Sequence, residues 1–278
     1  MSIEAQAAKA LAFQQMHLGS NILVLPNAWD AASARVLEQS GFPAIATTSS
    51  GVAAALGFPD GEWMSRDMMI AAVARIAQAV TCPVSADMEA GYGDSIAAVL
   101  DTVEAVIGAG AVGINLEDSR RLPTRHLVDV AAQVELIQAV RDLANKQGVS
   151  LVINARTDLY LLEADSPEAR FAETVRRANA YRDAGADCLF VIGVSDADTI
   201  AALARDIHGP INILAGPKSP PIPELARLGV ARVTFGGGMM RAALGQLRLV
   251  AREVIDQGTY TGLSGEALPS ADFQHLFG

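Results

Sequence analysis

Acidic side chains crowd the stretch "SADMEAGYGD", which runs from Ser85 to Asp94. Asp87, Glu89 and Asp94 follow directly on the apolar segment "AVTCPV", which is typical of a strand buried in a sheet. A carboxylate just inside the end of a buried strand is poorly solvated unless a cation or a hydrogen-bond donor meets it. The stretch therefore predicts a place where carboxylates do chemistry or hold a cation.

A second acidic pair, Glu117 and Asp118, ends the next apolar run, "GINLED". Like charges that converge on one place raise each other's pKa or require a cation. Because the donors are all oxygen and no histidine accompanies them, the expected cation is Mg²⁺ or Mn²⁺ rather than zinc. We predict that Asp87, Glu89 and Glu117 bind it. For Glu89 and Asp118 the alternative is an ion pair with an arginine such as Arg120 or Arg121.

Groups that suit an anionic ligand fall at the ends of other apolar runs. Arg156, in "NARTD", can hold a carboxylate through two parallel hydrogen bonds, although pairing with a nearby acid is a competing account. Thr48, Ser49 and Ser50, in "TTSSG", offer hydroxyls and backbone amides for a carboxylate or a phosphonate, unless the segment is a plain turn. Asp60, in "GFPDGEW", lies in a turn that can reach the same place.

Eight strand–helix units are expected to position these side chains. Four helix ends carry a glycine followed by a short apolar strand, and these glycines are Gly41, Gly110, Gly185 and Gly229. Four further strands are predicted at 21–26, 83–88, 149–155 and 210–215. Four of the intervening helices open with a residue that suits an N-cap, namely Ser65, Ser95, Ser166 and Asp196.

Strict alternation of strand and helix predicts parallel strands with right-handed crossovers. Eight such units predict an α/β fold, a (β/α)8 barrel of TIM type, in which reacting groups lie at the C-terminal ends of the strands. No linker divides residues 1–278, so we expect a single domain. The chain continues through an extra helix near 239–257 into a tail, 258–278, expected to pack as a helix on its own barrel or on a neighbouring subunit.

Composition excludes several classes of function. A formal net charge of −10 argues against a nucleic-acid partner, and no apolar run approaches the length that crosses a bilayer. The N-terminus lacks a signal-peptide pattern, so the expected location is cytoplasmic. Cys82 and Cys188 are too far apart in sequence for a local redox or zinc motif and are expected to be small buried side chains.

Two other kinds of barrel enzyme are also considered. A Schiff-base aldolase requires a lysine on a strand, whereas Lys9, Lys146 and Lys218 are predicted on helices or loops. An enzyme whose barrel binds sugar phosphates remains an alternative, because "TFGGG", residues 234–238, is a glycine-rich loop after the eighth strand.

The segments from Leu23 to Asp158 resemble one known family. "PNAWDAASA", "GFPAI", "DMEAGYG", "GINLED" and "NARTD" together resemble the isocitrate lyase and phosphoenolpyruvate mutase superfamily, and the resemblance covers nearly the whole chain. It implies a (β/α)8 barrel that binds Mg²⁺ and a 2-oxo acid and acts on a C–C or C–P bond beside the oxo group. It also implies a homo-oligomer, a dimer or tetramer, in which the C-terminal helix packs on a neighbouring barrel.

The resemblance also assigns roles to individual residues. It implies that Asp87 binds the metal directly and that Glu89 and Glu117 hold it through water. Arg156 matches a carboxylate-binding arginine, and Asp60 matches an aspartate close to the reacting atoms. Residues 48–50 fall on the segment that cradles the substrate carboxylate. The expected catalytic residues are therefore Asp60, Glu117 and Arg156. The expected substrate-binding residues are Thr48, Ser49, Ser50, Asp87 and Arg156.

One segment departs from the family pattern. Lyases of the family carry a "KKCGH"-like loop after strand four, whereas this chain has "EDSRRLPTRHL", without cysteine and with Arg120, Arg121 and Arg125. Cleavage of 2-methylisocitrate and rearrangement of a phosphonate are therefore both disfavoured. The chain most resembles the members without this cysteine, which include oxaloacetate decarboxylases and phosphonomutase-like proteins. Whether the 119–126 loop closes over the site stays open.

The expected function is that of a Mg²⁺-dependent lyase acting on a small, oxaloacetate-like 2-oxo acid through a metal-stabilised enolate, by decarboxylation or C–C cleavage. Water or Tyr92 is the expected proton donor. The alternatives are a C–P bond enzyme of the phosphonopyruvate mutase or hydrolase type, and a protein that binds a 2-oxo acid without turnover.

Overall fold

The structure is a computed structural model, which describes residues 2–120, 124–163, 166–264 and 267–277. The strands within these residues are β1 (Leu23–Val24), β2 (Asn27–Ala28), β3 (Ile45–Thr47), β4 (Val84–Asp87), β5 (Gly113–Glu117), β6 (Ser119–Arg120), β7 (His126–Leu127), β8 (Val152–Thr157), β9 (Cys188–Val191), β10 (Ile211–Leu214) and β11 (Arg232–Thr234). The helices are α1 (Ile3–Met16), α2 (Ala31–Gln39), α3 (Ser49–Ala55), α4 (Arg66–Ala79), α5 (Ile96–Gly108), α6 (Val130–Lys146), α7 (Pro167–Asp183), α8 (Ala197–Asp206), α9 (Ile222–Arg227), α10 (Gly238–Gln257) and α11 (Ser270–Gln274).

The main sheet is parallel and closes on itself. Its strand order is β1-β11-β10-β9-β8-β5-β4-β3-β2, and the two ends of this order belong to one extended run, residues 23–28. Leu25 N donates to Val233 O on one side at 2.8 Å, and Pro26 O accepts from Ala46 N on the other side, also at 2.8 Å. The run at 23–28 therefore acts as the first barrel strand, and the (β/α)8 barrel is confirmed.

Local sequence signals explain most element boundaries. The predicted helix N-caps at Ser65, Ser95, Ser166 and Asp196 all accept a hydrogen bond from the backbone N–H three residues later. The glycines that follow four helices, Gly41, Gly110, Gly185 and Gly229, all have positive φ, the conformation that only glycine adopts without strain. The predicted αβ loops are confirmed.

The first helix covers the N-terminal end of the barrel. On α1, Phe13 is fully buried, and a Cβ on Gly113, at the start of β5, would lie only 2.8 Å from the Phe13 ring. Gln14 Nε2 donates to Asp187 Oδ1, just before β9, at 2.8 Å. Because α1 closes this end, a ligand enters the barrel at the C-terminal ends of the strands.

The chain after β11 lies largely outside the core. On α10, Met240 is buried, while Leu244, Leu247 and Ile255 are exposed at 49%, 63% and 82%. Further on, Leu276 is buried, and its backbone oxygen accepts from Arg35 Nε of α2 at 2.6 Å. The end of the tail therefore contacts its own barrel. No helix in the described ranges is long and apolar enough to cross a membrane.

Candidate active site

Two adjoining cavities open at the C-terminal ends of the strands. The inner cavity, about 210 Å³, is lined by polar residues and by an apolar wall, the polar set being Asn27, Thr48, Ser49, Ser50, Asp60, Asp87, Asn115, Arg125, Arg156 and Thr234. The acidic cavity, about 330 Å³, is lined by Gly61, Glu62, Glu89, Ala90, Asp94, Glu117, Ser119, Arg120 and His126. The residues predicted as catalytic, substrate-binding or metal-binding all line one of the two cavities, and Tyr92, the alternative proton donor, contacts Glu89.

Asp87, the last residue of β4, is held in place by its neighbours. Its Oδ2 accepts from Ser49 N, the first N–H of α3, at 2.9 Å. Its Oδ1 accepts from Asn115 Nδ2 at 3.4 Å, and its backbone N donates to Thr47 Oγ1 at 2.8 Å. These contacts hold the carboxylate at the floor of the inner cavity, where a cation or a ligand can meet it.

Arg156 lies in the inner cavity as predicted and is also paired with acids. Its Nε and Nη2 donate to the two carboxylate oxygens of Asp158 at 2.6 and 3.1 Å, and its Nη1 lies 2.8 Å from Glu117 Oε2. Burial opposes its charge, but Glu117, Asp158 and Asp87 outweigh burial, so the pKa of Arg156 is raised. Contacts with described residues use three of the five guanidinium N–H groups, and the other two, on Nη1 and Nη2, suit a ligand carboxylate.

The hydroxyl segment begins a helix rather than forming a plain turn. Thr48 is the N-cap of α3, and its Oγ1 lies 3.0 Å from Ser50 Oγ. Ser49 Oγ donates to Asp60 Oδ1 at 3.3 Å, which brings the Asp60 loop to the inner cavity. The segment at 48–50 therefore contacts both carboxylates, Asp60 and Asp87.

Glu89 and Glu117 lie together in the acidic cavity. Glu89 Oε1 accepts from Glu62 N at 3.1 Å and from Tyr92 Oη at 3.3 Å. Burial and the nearby Glu89 and Glu62 raise the pKa of Tyr92, so the phenol keeps its proton. A phenol with a raised pKa is a weak acid and supports Glu89 better than it protonates a substrate, which favours water as the donor.

The donor set fits a hard divalent cation. Within residues 2–120, 124–163, 166–264 and 267–277, no three His, Cys, Asp or Glu side chains lie close enough together to bind a metal by themselves. Mg²⁺ needs no such cluster, because it commonly keeps several waters and shares one or two carboxylates with its ligand. Asp87, Glu89 and Glu117 provide oxygen donors of this kind, so the residues fit Mg²⁺ or Mn²⁺. Direct binding by Asp87, with Glu89 and Glu117 holding the cation through water, stays a prediction.

Asp118 belongs to a separate buried network. Its Oδ2 accepts from Tyr181 Oη at 2.8 Å and from Arg177 Nη1 at 3.1 Å, both on α7, and its Oδ1 accepts from Asp158 N at 2.9 Å. Burial raises the pKa of Asp118, although these partners oppose the shift. The ion pair expected as the alternative is present, but its arginine is Arg177, which is distant in sequence.

The segment after β5 is partly a hairpin. Where the sequence predicted a loop at 119–126, β6 and β7 pair antiparallel, with Ser119 opposite Leu127 and Arg120 opposite His126. Arg125 Nη1 lies 3.4 Å from Asp158 Oδ2. Arg121 lies outside the described residues. The hairpin was missed because its strands have only two residues each, too few to show alternation.

Several functional positions were also missed. Asn115 lies two residues before Glu117, and period-two alternation places both on the inner face of β5, so this signal was present in the sequence. Asp158, the bidentate partner of Arg156, follows it by two residues, so the same spacing signal was present for it. Glu62 gave no comparable signal, because its role depends on contacts between separate loops.

The cysteines and lysines lie away from both cavities. Cys188 is buried at the start of β9, and Cys82 is half-buried just before β4, so both belong to the N-terminal ends of strands. Burial raises the pKa of each thiol to about 12. Lys9 and Lys146 lie on α1 and α6, and Lys218 lies between β10 and α9, as predicted.

Comparisons with known proteins agree with this geometry. A family model described as phosphoenolpyruvate phosphomutase matches residues 13–255. A solved structure from Burkholderia cenocepacia, described as a candidate lyase or mutase, has 38% sequence identity and a TM-score of 0.90, over 98% of this chain and 97% of that one.

Two curated relatives carry named activities. A 2-methylisocitrate lyase of Aeropyrum pernix is 26% identical over 93% of this chain and 83% of its own length. An oxaloacetate decarboxylase of Bradyrhizobium diazoefficiens is 29% identical over 78% of this chain and 75% of its own length. With a family model that covers most of the barrel, these similarities lead to one conclusion: the chain belongs to the isocitrate lyase and phosphoenolpyruvate mutase superfamily.

Proposed function

We propose that the protein is a Mg²⁺-dependent lyase acting on a small, oxaloacetate-like 2-oxo acid through an enolate, by decarboxylation or C–C cleavage. The observation that carries the proposal is the inner cavity, in which Asp87, Arg156 and the hydroxyls of Ser49 and Ser50 surround a space of about 210 Å³. That volume suits a molecule of a few carbons.

Different side chains of the inner cavity bind different parts of the substrate. The two remaining N–H groups of Arg156 hold the carboxylate next to the oxo group, while Glu117 and Asp158 fix the guanidinium plane. Ser50 lines the same cavity and supplies a hydroxyl. A divalent cation near Asp87 would supply positive charge at the oxo oxygen, where negative charge develops during the reaction.

Part of the wall of the inner cavity is apolar. Phe190, Ile192 and Leu214 line it, and Phe190 is 5% exposed. A carboxylate directed at this wall loses its water, which favours its departure as CO₂. In that reaction the C–C bond to the leaving carboxylate breaks, its electron pair passes into the enolate, and water delivers a proton to carbon.

The absence of a cysteine at the cavities is compatible with decarboxylation. Bond cleavage with loss of CO₂ requires no base, whereas the lyases that the sequence resembles use a cysteine after the fourth strand. In this chain both thiols are protonated and lie at the opposite end of the barrel. Decarboxylation is therefore favoured over cleavage of 2-methylisocitrate.

A C–P bond enzyme is the second candidate, supported by the match to the phosphoenolpyruvate phosphomutase model. The hydroxyls at Thr48 and Ser50, and Gly236 and Gly237 beside them, are suited to a phosphonate as well as to a carboxylate. This candidate and the decarboxylase differ in the bond that breaks, so one panel of substrates separates them.

The test measures product from oxaloacetate, 2-methylisocitrate and phosphonopyruvate with purified protein and Mg²⁺. Coupled detection of pyruvate follows the first two, and phosphorus NMR follows the third. Asp87→Ala at equal concentration and equal Mg²⁺ corrects for decarboxylation by the metal alone. We expect pyruvate from oxaloacetate well above this control. Oxaloacetate loss at the control rate would contradict the proposal, and tight binding without turnover would assign the protein as a 2-oxo acid binder.

A further inference from the structure

Two loops at the acidic cavity hold unusual backbone conformations. Among the described residues, the non-glycine side chains with positive φ are Glu62 (60°), Glu89 (51°) and Tyr92 (57°). Non-glycine residues rarely adopt this left-handed region, and where they do, the surrounding contacts must hold them there. All three belong to loops that bound the acidic cavity, residues 57–65 and 88–94.

The two loops are joined by reciprocal hydrogen bonds, which we call the Glu62–Glu89 clasp. Glu62 N donates to Glu89 Oε1 at 3.1 Å. In return, Glu62 Oε1 accepts from Ala90 N at 3.1 Å and from Tyr92 N at 2.9 Å. Each loop thus supplies a carboxylate to backbone N–H groups of the other, and the unusual φ angles direct those N–H groups toward the partner loop.

The clasp lies between two groups assigned to the site. Asp60 is two residues before Glu62, with Gly61 at φ 115° between them, so the place of Asp60 depends on where Glu62 is held. Asp60 Oδ1 accepts from Ser49 Oγ at 3.3 Å, a contact that connects the 57–65 loop to α3 at the inner cavity. On the other side, the clasp fixes the rotamer of Glu89.

We propose that Glu62 is a positioning residue, which locks the 57–65 loop onto the 88–94 loop and so fixes Asp60 at the inner cavity and orients Glu89. The inference rests on the proposed function only for the roles of Asp60 and Glu89. Glu62 itself lines the acidic cavity and does not line the inner cavity among the described residues. It acts through the two loops.

The chemistry of the clasp specifies what the side chain must supply. Glu62 Oε1 accepts from two backbone N–H groups, so an acceptor oxygen of the same reach is required and a charge is not. Glutamine supplies that oxygen, whereas alanine and glycine do not. Glycine also suits a φ of 60°, so Glu62→Gly removes the contact without adding backbone strain.

Trp63 provides a readout that is independent of activity. The chain has two tryptophans, Trp29 and Trp63, and Trp63 follows Glu62 directly in the loop. In a Trp29→Phe background its fluorescence, and its quenching by acrylamide, report the mobility of the 57–65 loop. Mn²⁺ titration followed by electron paramagnetic resonance reports the effect on Glu89.

The experiment compares Glu62→Ala, Glu62→Gly and Glu62→Gln with Asp94→Ala, a matched control that removes an exposed acid from the same cavity. We expect the Ala and Gly variants to increase Trp63 quenching, to weaken Mn²⁺ binding roughly tenfold and to lower kcat by about 10- to 100-fold, with a smaller change in KM. We expect Glu62→Gln to keep Trp63 quenching, Mn²⁺ affinity and kcat close to those of the parent protein.

Two results would overturn the proposal. In the first, Ala and Gly variants that keep native circular dichroism match Asp94→Ala in quenching, Mn²⁺ affinity and kcat. In the second, Glu62→Gln is as defective as Glu62→Ala, so that charge rather than the acceptor oxygen matters. If the parent protein turns over none of the substrates, the proposed function fails, while quenching and Mn²⁺ affinity still decide the role of Glu62.

Discussion

Neighbouring acids in this chain have different tasks because a strand directs successive side chains to opposite faces. Glu117 faces the barrel interior and pairs with Arg156, whereas Asp118 faces α7 and pairs with Arg177 and Tyr181. The first contributes to the acidic cavity, and the second ties the barrel to a helix.

Removing the Asp118 carboxylate is therefore expected to affect stability rather than binding. Asp118→Ala leaves Arg177 without its buried partner, which should lower the free energy of unfolding by about 3 kcal/mol. Urea unfolding measures this loss. Mn²⁺ affinity should stay within about twofold of the parent, because Asp87 is unchanged at the floor of the inner cavity. A loss of metal binding without a loss of stability would contradict the assignment.

Replacing Arg156 by lysine tests the shape of the guanidinium group as well as its charge. Lysine keeps the charge but cannot bond both oxygens of Asp158 while also meeting Glu117 and a ligand. Arg156→Lys should weaken oxalate binding by about 10- to 100-fold. Calorimetric titration checks this, and an unchanged affinity would show that the substrate carboxylate binds elsewhere.

At this scale the sequence predicted the groups that lie at strand ends. Asp87 and Arg156 were found because a charged residue inside an apolar strand end is costly unless it is used. Glu62 was missed because its importance lies in hydrogen bonds between loops, which no spacing along one segment reveals.

Among the elements, α1 combines a structural task with a response to pH. His17, at its C-terminal end, is 3% exposed, and its Nε2 lies 3.4 Å from Arg232 Nη1. Nδ1 of the same ring lies 2.9 Å from Phe13 O, and Asp187 is the acid that faces it. Burial first, and then the Arg232 charge, lowers the pKa of His17 to about 4.

This shift has a defined consequence for stability. Between pH 6.5 and pH 4 the unfolded chain binds a proton at His17 that the folded chain does not, so stability falls as pH falls through that window. The contribution between pH 7.5 and pH 5 is about 2 kcal/mol. His17→Gln should flatten the pH dependence of urea unfolding by that amount, and an unchanged slope would contradict the assigned pKa.

The sequence predicted the elements better than their packing. Helix caps and the glycines after helices are local signals, and they gave the correct boundaries. The position of α1 over the barrel end depends on distant contacts such as Gln14 with Asp187, which local patterns do not contain. The pairing of β6 with β7 was missed because each strand has only two residues.

For the whole molecule, closure of the barrel followed from counting eight strand–helix units, because an open sheet of eight parallel strands would leave two edges. The structure adds that residues 23–28 supply both closing contacts. From the sequence, the expected function could be narrowed to a family and a substrate class. Which substrate binds depends on the shape of the inner cavity and on its apolar wall, which the sequence does not show.

We propose that the exposed helix α10 mediates a homo-oligomer, a dimer or tetramer. Its apolar face is exposed at Leu247 and Ile255, and a groove of about 1090 Å³, lined by Pro217, Ile222 and Met239, lies at its base. Apolar exposure on one helix face favours a second copy of the chain as its partner. Light scattering should give a multiple of the monomer mass.

The double variant Leu247→Glu and Ile255→Glu should shift that mass toward the monomer while the circular dichroism is retained. Leu18→Glu, which changes an exposed leucine outside α10, is the matched control. A monomeric parent protein would contradict the proposal.

The central claim is that a divalent cation and a 2-oxo acid share the floor of the inner cavity, with Asp87 on one side and Arg156 on the other. Calorimetric titration of oxalate, in excess Mg²⁺ and again in excess EDTA, tests it most directly. We expect saturable one-to-one binding of oxalate in the presence of Mg²⁺, and its loss in EDTA and in Asp87→Ala. Oxalate binding of equal affinity in EDTA, or none in either condition, would contradict it.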